Sequence, residues 1–345
     1  MTDGDTRPAL PLGAGADPGE AHPLGIGADT RAALEEALGP RIEFDAPLSR
    51  HTSLRIGGPA DALATPADLD ELARVLGVCH AAGVPTRMLG AGFNVLVQEG
   101  GIRGVVIRLK KLRRIERGPG ARIRVEAGAS HATMTRYCVD HGLSGLEFGA
   151  GIPGTLGGWL AMNAGIGVRE TKDVVVAIEW MSADGARVER TPRAELDFRY
   201  RGLHGLEPGA VLVAAELQLE ESTTAKVREE VDRLLAQRQA TQPIDVPSCG
   251  SVFRNPEHDY AGRLIEEAGL KGLRVGAAEI STVHANFIVN RGGATAGDVL
   301  ALIERARHAV EARTGVRLET EVLVLGVADP APTTGRAPKA EGGSA

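Results

Sequence analysis

The spacing of apolar residues changes along the chain, and each change of period marks a different kind of element. A short helical stretch over residues 30–38 ends at Gly39-Pro40, where the backbone cannot continue a helix. Leu69, Leu72, Leu76 and Cys79 recur at helical spacing and predict a helix over residues 67–82. Short apolar runs at residues 86–90, 95–97, 105–107 and 123–128 read as strands, and residues 131–141 return to a helical pattern. Three more strands are expected at 174–181, 187–189 and 210–219, with Ala183-Asp184-Gly185 as a hairpin turn between the first two.

At residues 224–239 the sheet-rich pattern gives way to a helix with Val227, Val231, Leu234 and Leu235 on one face, which predicts the opening of a second domain. The chain then runs through residues 260–268 and a loop at 269–276 to a strand at 285–290. A helix over 296–314 carries the stripe Val299, Ile303, Ala306 and Val310, starts near a capping box at Thr295 and Asp298, and ends at Gly315. The last expected strand covers residues 316–325. Its alternation puts Glu319 and Glu321 on one face with Leu323 and Leu325, and turns Val316, Leu318, Val322 and Val324 the other way.

Composition narrows the class. With 345 residues and 43% hydrophobic content, the chain can bury more than one core, and its length favours two or three domains. A formal charge of -6 and 3% aromatic residues argue against a nucleic-acid partner, which needs a basic surface or stacking platforms. Cys79, Cys138 and Cys249 lie far apart, with no metal-ligand spacing and an odd count, so a reducing cytoplasm is expected and no metal. No apolar run suits a membrane span and no signal-peptide pattern opens the chain. Residues 1–29 and 328–345 are rich in Gly, Pro, Ala and Asp without a periodic face, and are expected to be disordered tails.

Four stretches could carry chemistry. Between Glu147 and Gly165, glycines at 149, 151, 154, 157, 158 and 165 strip side chains from an apolar segment, which suits either a ligand seat or a tight turn packed on a helix. Gly90-Ala91-Gly92 lies between two strands, so it lacks the third glycine and following helix of a Rossmann site. In Phe198-Arg199-Tyr200-Arg201, alternation puts both arginines opposite the aromatics, as a carboxylate or phosphate clamp or as exposed strand charges. A carboxylate on an apolar face, as expected for Glu321, is either a proton-holding acid or the solvated end of a strand. The loop 247–256 sets Ser248, Cys249 and Ser251 between tight turns, and neither a hydrolase triad nor a nucleophile elbow accompanies it.

Taken as a set, these residues resemble one family. The blocks run in order: Arg50-His51-Thr52-Ser53-Leu54-Arg55-Ile56-Gly57-Gly58-Pro59-Ala60-Asp61, then Leu89 to Val97, the glycine-rich stretch, Tyr200-Arg201 and Thr241-Gln242-Pro243. Gly250 to Pro256, Ala268 to Gly272, His284 to Asn290 and Leu318 to Val322 follow. Together they look like UDP-N-acetylenolpyruvoylglucosamine reductases, of the shorter type that lacks an extra tyrosine-bearing loop.

The resemblance implies an α+β fold: a vanillyl-alcohol-oxidase, or PCMH-type, FAD-binding domain of two subdomains (30–110 and 111–223, together about 55–222) and a C-terminal α+β substrate-binding domain (224–327). It implies non-covalent FAD, NADPH as co-substrate, a UDP-sugar substrate, a monomer, and work in the cytoplasm on peptidoglycan precursors. Hydride from the flavin would reach the terminal carbon of an enolpyruvyl ether. Arg201 would hold the substrate carboxylate, protonated Glu321 would stabilise the developing enediolate, and Ser251 would deliver the proton. Gly90, Gly92, Phe93, Asn94, Val95, Gly154, Thr155, Gly157, Gly158, Asn163 and Ala164 would line the flavin, and Tyr200, Arg254 and Asn255 the substrate. Two positions depart from the family pattern: Phe93 stands where serine is usual and His51 where asparagine is usual. The competing readings are another flavin oxidase of this fold and a flavin- or UDP-sugar-binding protein without catalysis.

Overall fold

Residues 25–328 are described by the computed structural model of the chain. Its first sheet orders the strands Ile42–Pro47, Pro59–Ala64, Ile102–Ile107 and Thr86–Met88; the first pair is antiparallel and the other two pairings are parallel. The helices Ala28–Leu38 and Leu69–Ala81 bury Leu34, Leu38, Leu72, Val75 and Leu76 in the core beside it. Asp68 starts the second helix by accepting a hydrogen bond from the Glu71 N–H, as an N-cap acid should.

The second sheet is antiparallel throughout, in the order Val188–Pro192, Val175–Met181, Val211–Gln218, Arg122–Glu126 and Ile115–Arg117. The helices His131–Asp140 and Leu156–Ala161 place Met134, Cys138, Leu156, Trp159 and Leu160 in its core with Ile123, Val125 and Ile178. A third sheet, Ser248–Ser251, Phe287–Asn290, Ala278–Ile280 and Arg274–Val275, shares a core with the helices Ala261–Glu267 and Ala296–Thr314. Thr295 and Asp298 form the complete capping box of that last helix, and Gly315 ends it at φ +73°.

Several expectations shift. Helix Thr224–Thr241 buries Val227 and Val231 against Val139 and Ala150, so its apolar face covers the glycine-rich segment, while the C-terminal core draws on residues from Cys249 onward together with Leu54, Ile56 and Leu96. Between 316 and 322 there is no regular strand; Phe253 and Thr320 form an isolated bridge, and only Leu323–Leu325 is extended, paired in parallel with Val95–Val97. Simple alternation therefore fails there: Glu319 is exposed, Glu321 is turned inward, and Val324 is 37% exposed. The chain also begins its order earlier than expected, because Ile26 is buried against Leu34 and Leu38 and the first helix starts at Ala28. The rest of the expected tails, residues 1–24 and 329–345, lies outside the described residues.

Candidate active site

Arg201 owes its position to a turn. The strand Asp197–Arg199 pairs with Gly202–His204 so that Arg199 faces Gly202, and the chain reverses at Tyr200 and Arg201. The arginines thus do not share a face. Arg199 pairs with Asp197 at 2.7 Å, whereas Arg201, at φ +56°, reaches across the molecule to Glu321. A left-handed arginine costs on the order of 1 kcal/mol, which surrounding contacts must offset. Arg201 Nε donates to Glu321 Oε1 at 2.9 Å, with the side chains 19% and 14% exposed, and its guanidinium lies 4.9 Å from the Tyr200 ring centre.

Burial pushes the Glu321 carboxyl above its ordinary range, and the Arg201 and Arg254 guanidinium groups oppose that shift without reversing it. Arg201 is the principal compensating charge. Among the described residues, Arg254 Nε meets no hydrogen-bond partner and is buried.

Backbone pairing brings the Ser251 loop to the same place. The Val252 carbonyl accepts from Glu321 N at 2.8 Å, and Arg254 N donates to the Glu319 carbonyl at 2.9 Å. Asn286 secures the residue between them: its Oδ1 accepts from Phe253 N at 2.9 Å and its Nδ2 donates to Phe253 O at 2.8 Å. Ser251 is therefore anchored one residue from the group that fixes Glu321. It also lines a cleft of about 400 Å³ with Asn255, Tyr260, Arg263 and His284. Asn255 Oδ1 accepts from Ala261 N at 3.1 Å, so that oxygen is committed to the helix start. Cys249 is buried, and burial pushes its thiol up to about 12, which removes it as a nucleophile.

Asn94 ties the glycine loop to both segments. Its N–H donates to the Cys249 carbonyl at 3.1 Å, its Nδ2 to the Glu321 carbonyl at 3.1 Å, and its own carbonyl accepts from Leu323 N at 3.0 Å. The φ of +57° suits asparagine better than most residues.

Just before it, the N–H groups of Gly90, Ala91, Gly92 and Phe93 donate to no acceptor among the described residues. Gly92 is required here, because a Cβ would stand 2.0 Å from the His51 carbonyl. The N–H groups of Gly154, Thr155 and Gly158 likewise meet no acceptor among the described residues, and a Cβ on Gly158 would have only Thr155 Oγ1, 3.9 Å away, for company. Rows of open amides fit a cofactor that carries a diphosphate and a flat ring edged with carbonyls, so FAD suits the residues present.

The other candidates serve differently. Gly157 donates to the Ala127 carbonyl at 2.8 Å, and the Ala164 N–H to the Trp159 carbonyl at 2.9 Å. Val95 is buried in the core under the loop, and Phe93 is 38% exposed. Asn163 is fully buried; its Nδ2 donates to Glu170 and to the Arg199 carbonyl, and its Oδ1 accepts from Lys172 N. Its side chain thus supports the floor of the site and offers no free polar atom to it.

Residues 60–190 match the family described as an FAD-binding domain. The chain is thus a flavoprotein, with the expected α+β fold and an inward-facing acid–arginine pair. Residues 242–325 match the C-terminal domain of UDP-N-acetylenolpyruvoylglucosamine reductase. A reductase of that name from Anaeromyxobacter dehalogenans (strain 2CP-C) is 50% identical over 286 residues, covering 82% of this chain and 85% of the relative. One from Geobacter sulfurreducens is 44% identical over 295 residues, covering 86% and 97%. The crystal structure of the Thermus caldophilus reductase superposes with a TM-score of 0.71 at 36% identity, covering 83% of this chain and 98% of that one. The chain belongs to the UDP-N-acetylenolpyruvoylglucosamine reductase family.

Proposed function

We propose that this protein reduces the enolpyruvyl ether of UDP-N-acetyl-3-O-(1-carboxyvinyl)-glucosamine to UDP-N-acetylmuramate, a step in peptidoglycan precursor synthesis, using NADPH. The observation that carries this reading is the inward-facing Arg201–Glu321 pair fastened by backbone bonds to the Ser251 loop. Bound FAD, once reduced, supplies the hydride to the terminal carbon of the substrate.

The chain's own groups manage the charge that follows. Arg201 offers its guanidinium to the substrate carboxylate, a charge-assisted contact that steadies the adjacent carbon as it gains electron density. As Arg201 turns to that carboxylate, Glu321 loses its main cation, and burial then favours the protonated acid more strongly. A neutral Glu321 then donates a hydrogen bond where an ionised one would repel. Ser251 gives its hydroxyl proton to the carbanionic carbon; the backbone pairing of its loop sets its position. Arg254, Asn255 and Tyr200 receive the nucleotide end. The protein acts as a cytoplasmic monomer in this reading. Among the described residues, no helix is long and apolar enough to cross a membrane.

The direct test is to reduce the holoenzyme anaerobically with NADPH and mix it with the UDP-enolpyruvyl sugar. Flavin absorbance should return within the mixing experiment, with UDP-N-acetylmuramate formed in equal amount. Reoxidation by oxygen alone, with no response to the sugar, would reject the reading.

A further inference from the structure

Arg108 stands beside the open amides with its charge unspent. Its Nε donates to the Gly90 carbonyl at 3.3 Å and its Nη1 contacts His51 Nδ1 at 2.7 Å. Guanidinium can only donate, so His51 Nδ1 accepts and the ring is neutral, with its proton on Nε2. Burial and Arg108 itself both hold the His51 pKa down. No carboxylate pairs with Arg108 among the described residues, and burial lowers its pKa. Around His51 the remaining charges are Arg50 and Lys110 against Glu43. A half-buried cation held by two neutral acceptors, in a net positive setting, is arranged for an anion that comes from outside the chain. Phe93, the side chain nearest in sequence to the amides, has no polar atom to offer one.

We infer that Arg108, steadied by His51 and the Gly90 carbonyl, is the charged clamp for a diphosphate seated on the Gly90–Phe93 amides, and that this diphosphate belongs to FAD. The inference rests on FAD being the bound cofactor, whose only formal charges lie on that group. Arg108 is then a cofactor-binding residue, and His51 a positioning residue acting through it. The substrate also carries a diphosphate, and the clamp is assigned to the cofactor because it adjoins Gly90, on the loop that precedes Asn94.

The test titrates apoprotein with FAD and with riboflavin, which shares the ring but has no phosphate, and measures the KM for the UDP-sugar in reconstituted enzyme. Arg108→Gln should weaken FAD about ten- to a hundredfold, leave riboflavin affinity unchanged and flatten the salt dependence of FAD binding. Arg108→Lys keeps charge without the fork and should fall between; it serves if the glutamine variant fails to fold. His51→Leu should lower the FAD-to-riboflavin affinity ratio in the same direction. Equal losses for FAD and riboflavin would reduce Arg108 to packing and overturn the clamp. Unchanged FAD affinity with a raised KM for the sugar would move the anion to the substrate and overturn the assignment. If wild-type apoprotein bound no FAD, the cofactor reading itself would fail, an outcome separate from either of these.

Discussion

Replacing Asn286 by alanine tests how the Ser251 loop is held. In the native protein Phe253 is 2% exposed and Asn286 4% exposed, and the asparagine amide satisfies both the N–H and the C=O of Phe253. Those groups have no alternative, because the bridge to Thr320 uses the N–H of Arg254 and the C=O of Val252 instead. Asn286→Ala therefore strands two buried polar groups, which costs about 1–3 kcal/mol apiece if the space stays dry, more than the net worth of the hydrogen bonds themselves. Entry of a water into the vacated volume would relieve part of this, so a net loss of about 2–4 kcal/mol is expected. Urea denaturation of the FAD-saturated enzyme, read by tryptophan fluorescence, should show the midpoint falling accordingly. Stopped-flow kinetics should show reoxidation by substrate slowed tenfold or more, with reduction by NADPH nearly intact. Asn286→Asp keeps the acceptor for the Phe253 N–H but turns an oxygen toward the Phe253 carbonyl, so it should be no better than alanine. A loss below about 0.5 kcal/mol, or equal slowing of both half-reactions, would refute the claim that this side chain sets the loop.

Two further predictions concern the reacting groups. Ser251→Ala should leave reduction of the flavin by NADPH almost unchanged and slow the substrate half-reaction by several orders of magnitude; equal loss in both halves, measured by stopped flow, would count against proton donation. Glu321 starts with a pKa raised above its usual 4.5, and it rises further when the substrate carboxylate draws Arg201 away, so substrate binding should take up a proton between those two values. Affinity should then fall as pH rises through that window. Titration calorimetry in buffers of different ionisation enthalpy should detect the uptake in the wild type, and Glu321→Gln should abolish it.

Much of the fold was legible in the sequence because it depends on local periodicity. The helices near Leu72, Met134 and Val299 and the strands around Val125 and Ile178 follow from side chains that must share one buried face. Alternation misled where the backbone departs from a strand. Arg201 sits in a turn at positive φ, and the segment before Leu323 makes a single bridge, so neither Arg199 with Arg201 nor Glu319 with Glu321 forms a like pair. Nothing in the local pattern marked Asn286 as a clamp on Phe253, or Arg108 as a partner of His51, because both contacts join residues far apart in the chain.

By itself, then, the sequence determined most of the helices and many of the strands, the glycines where only a bare backbone fits, and, through the order of its motifs, the family. Tertiary structure alone decided which polar groups are spent and which remain open. The Asn163 amide is consumed by Glu170, Arg199 and Lys172, while four successive amides from Gly90 to Phe93 find no acceptor among the described residues. The reason is that hydrogen-bond satisfaction and charge compensation depend on distance in space. Arg201 and Glu321 are 120 positions apart in the chain and 2.9 Å apart in the fold.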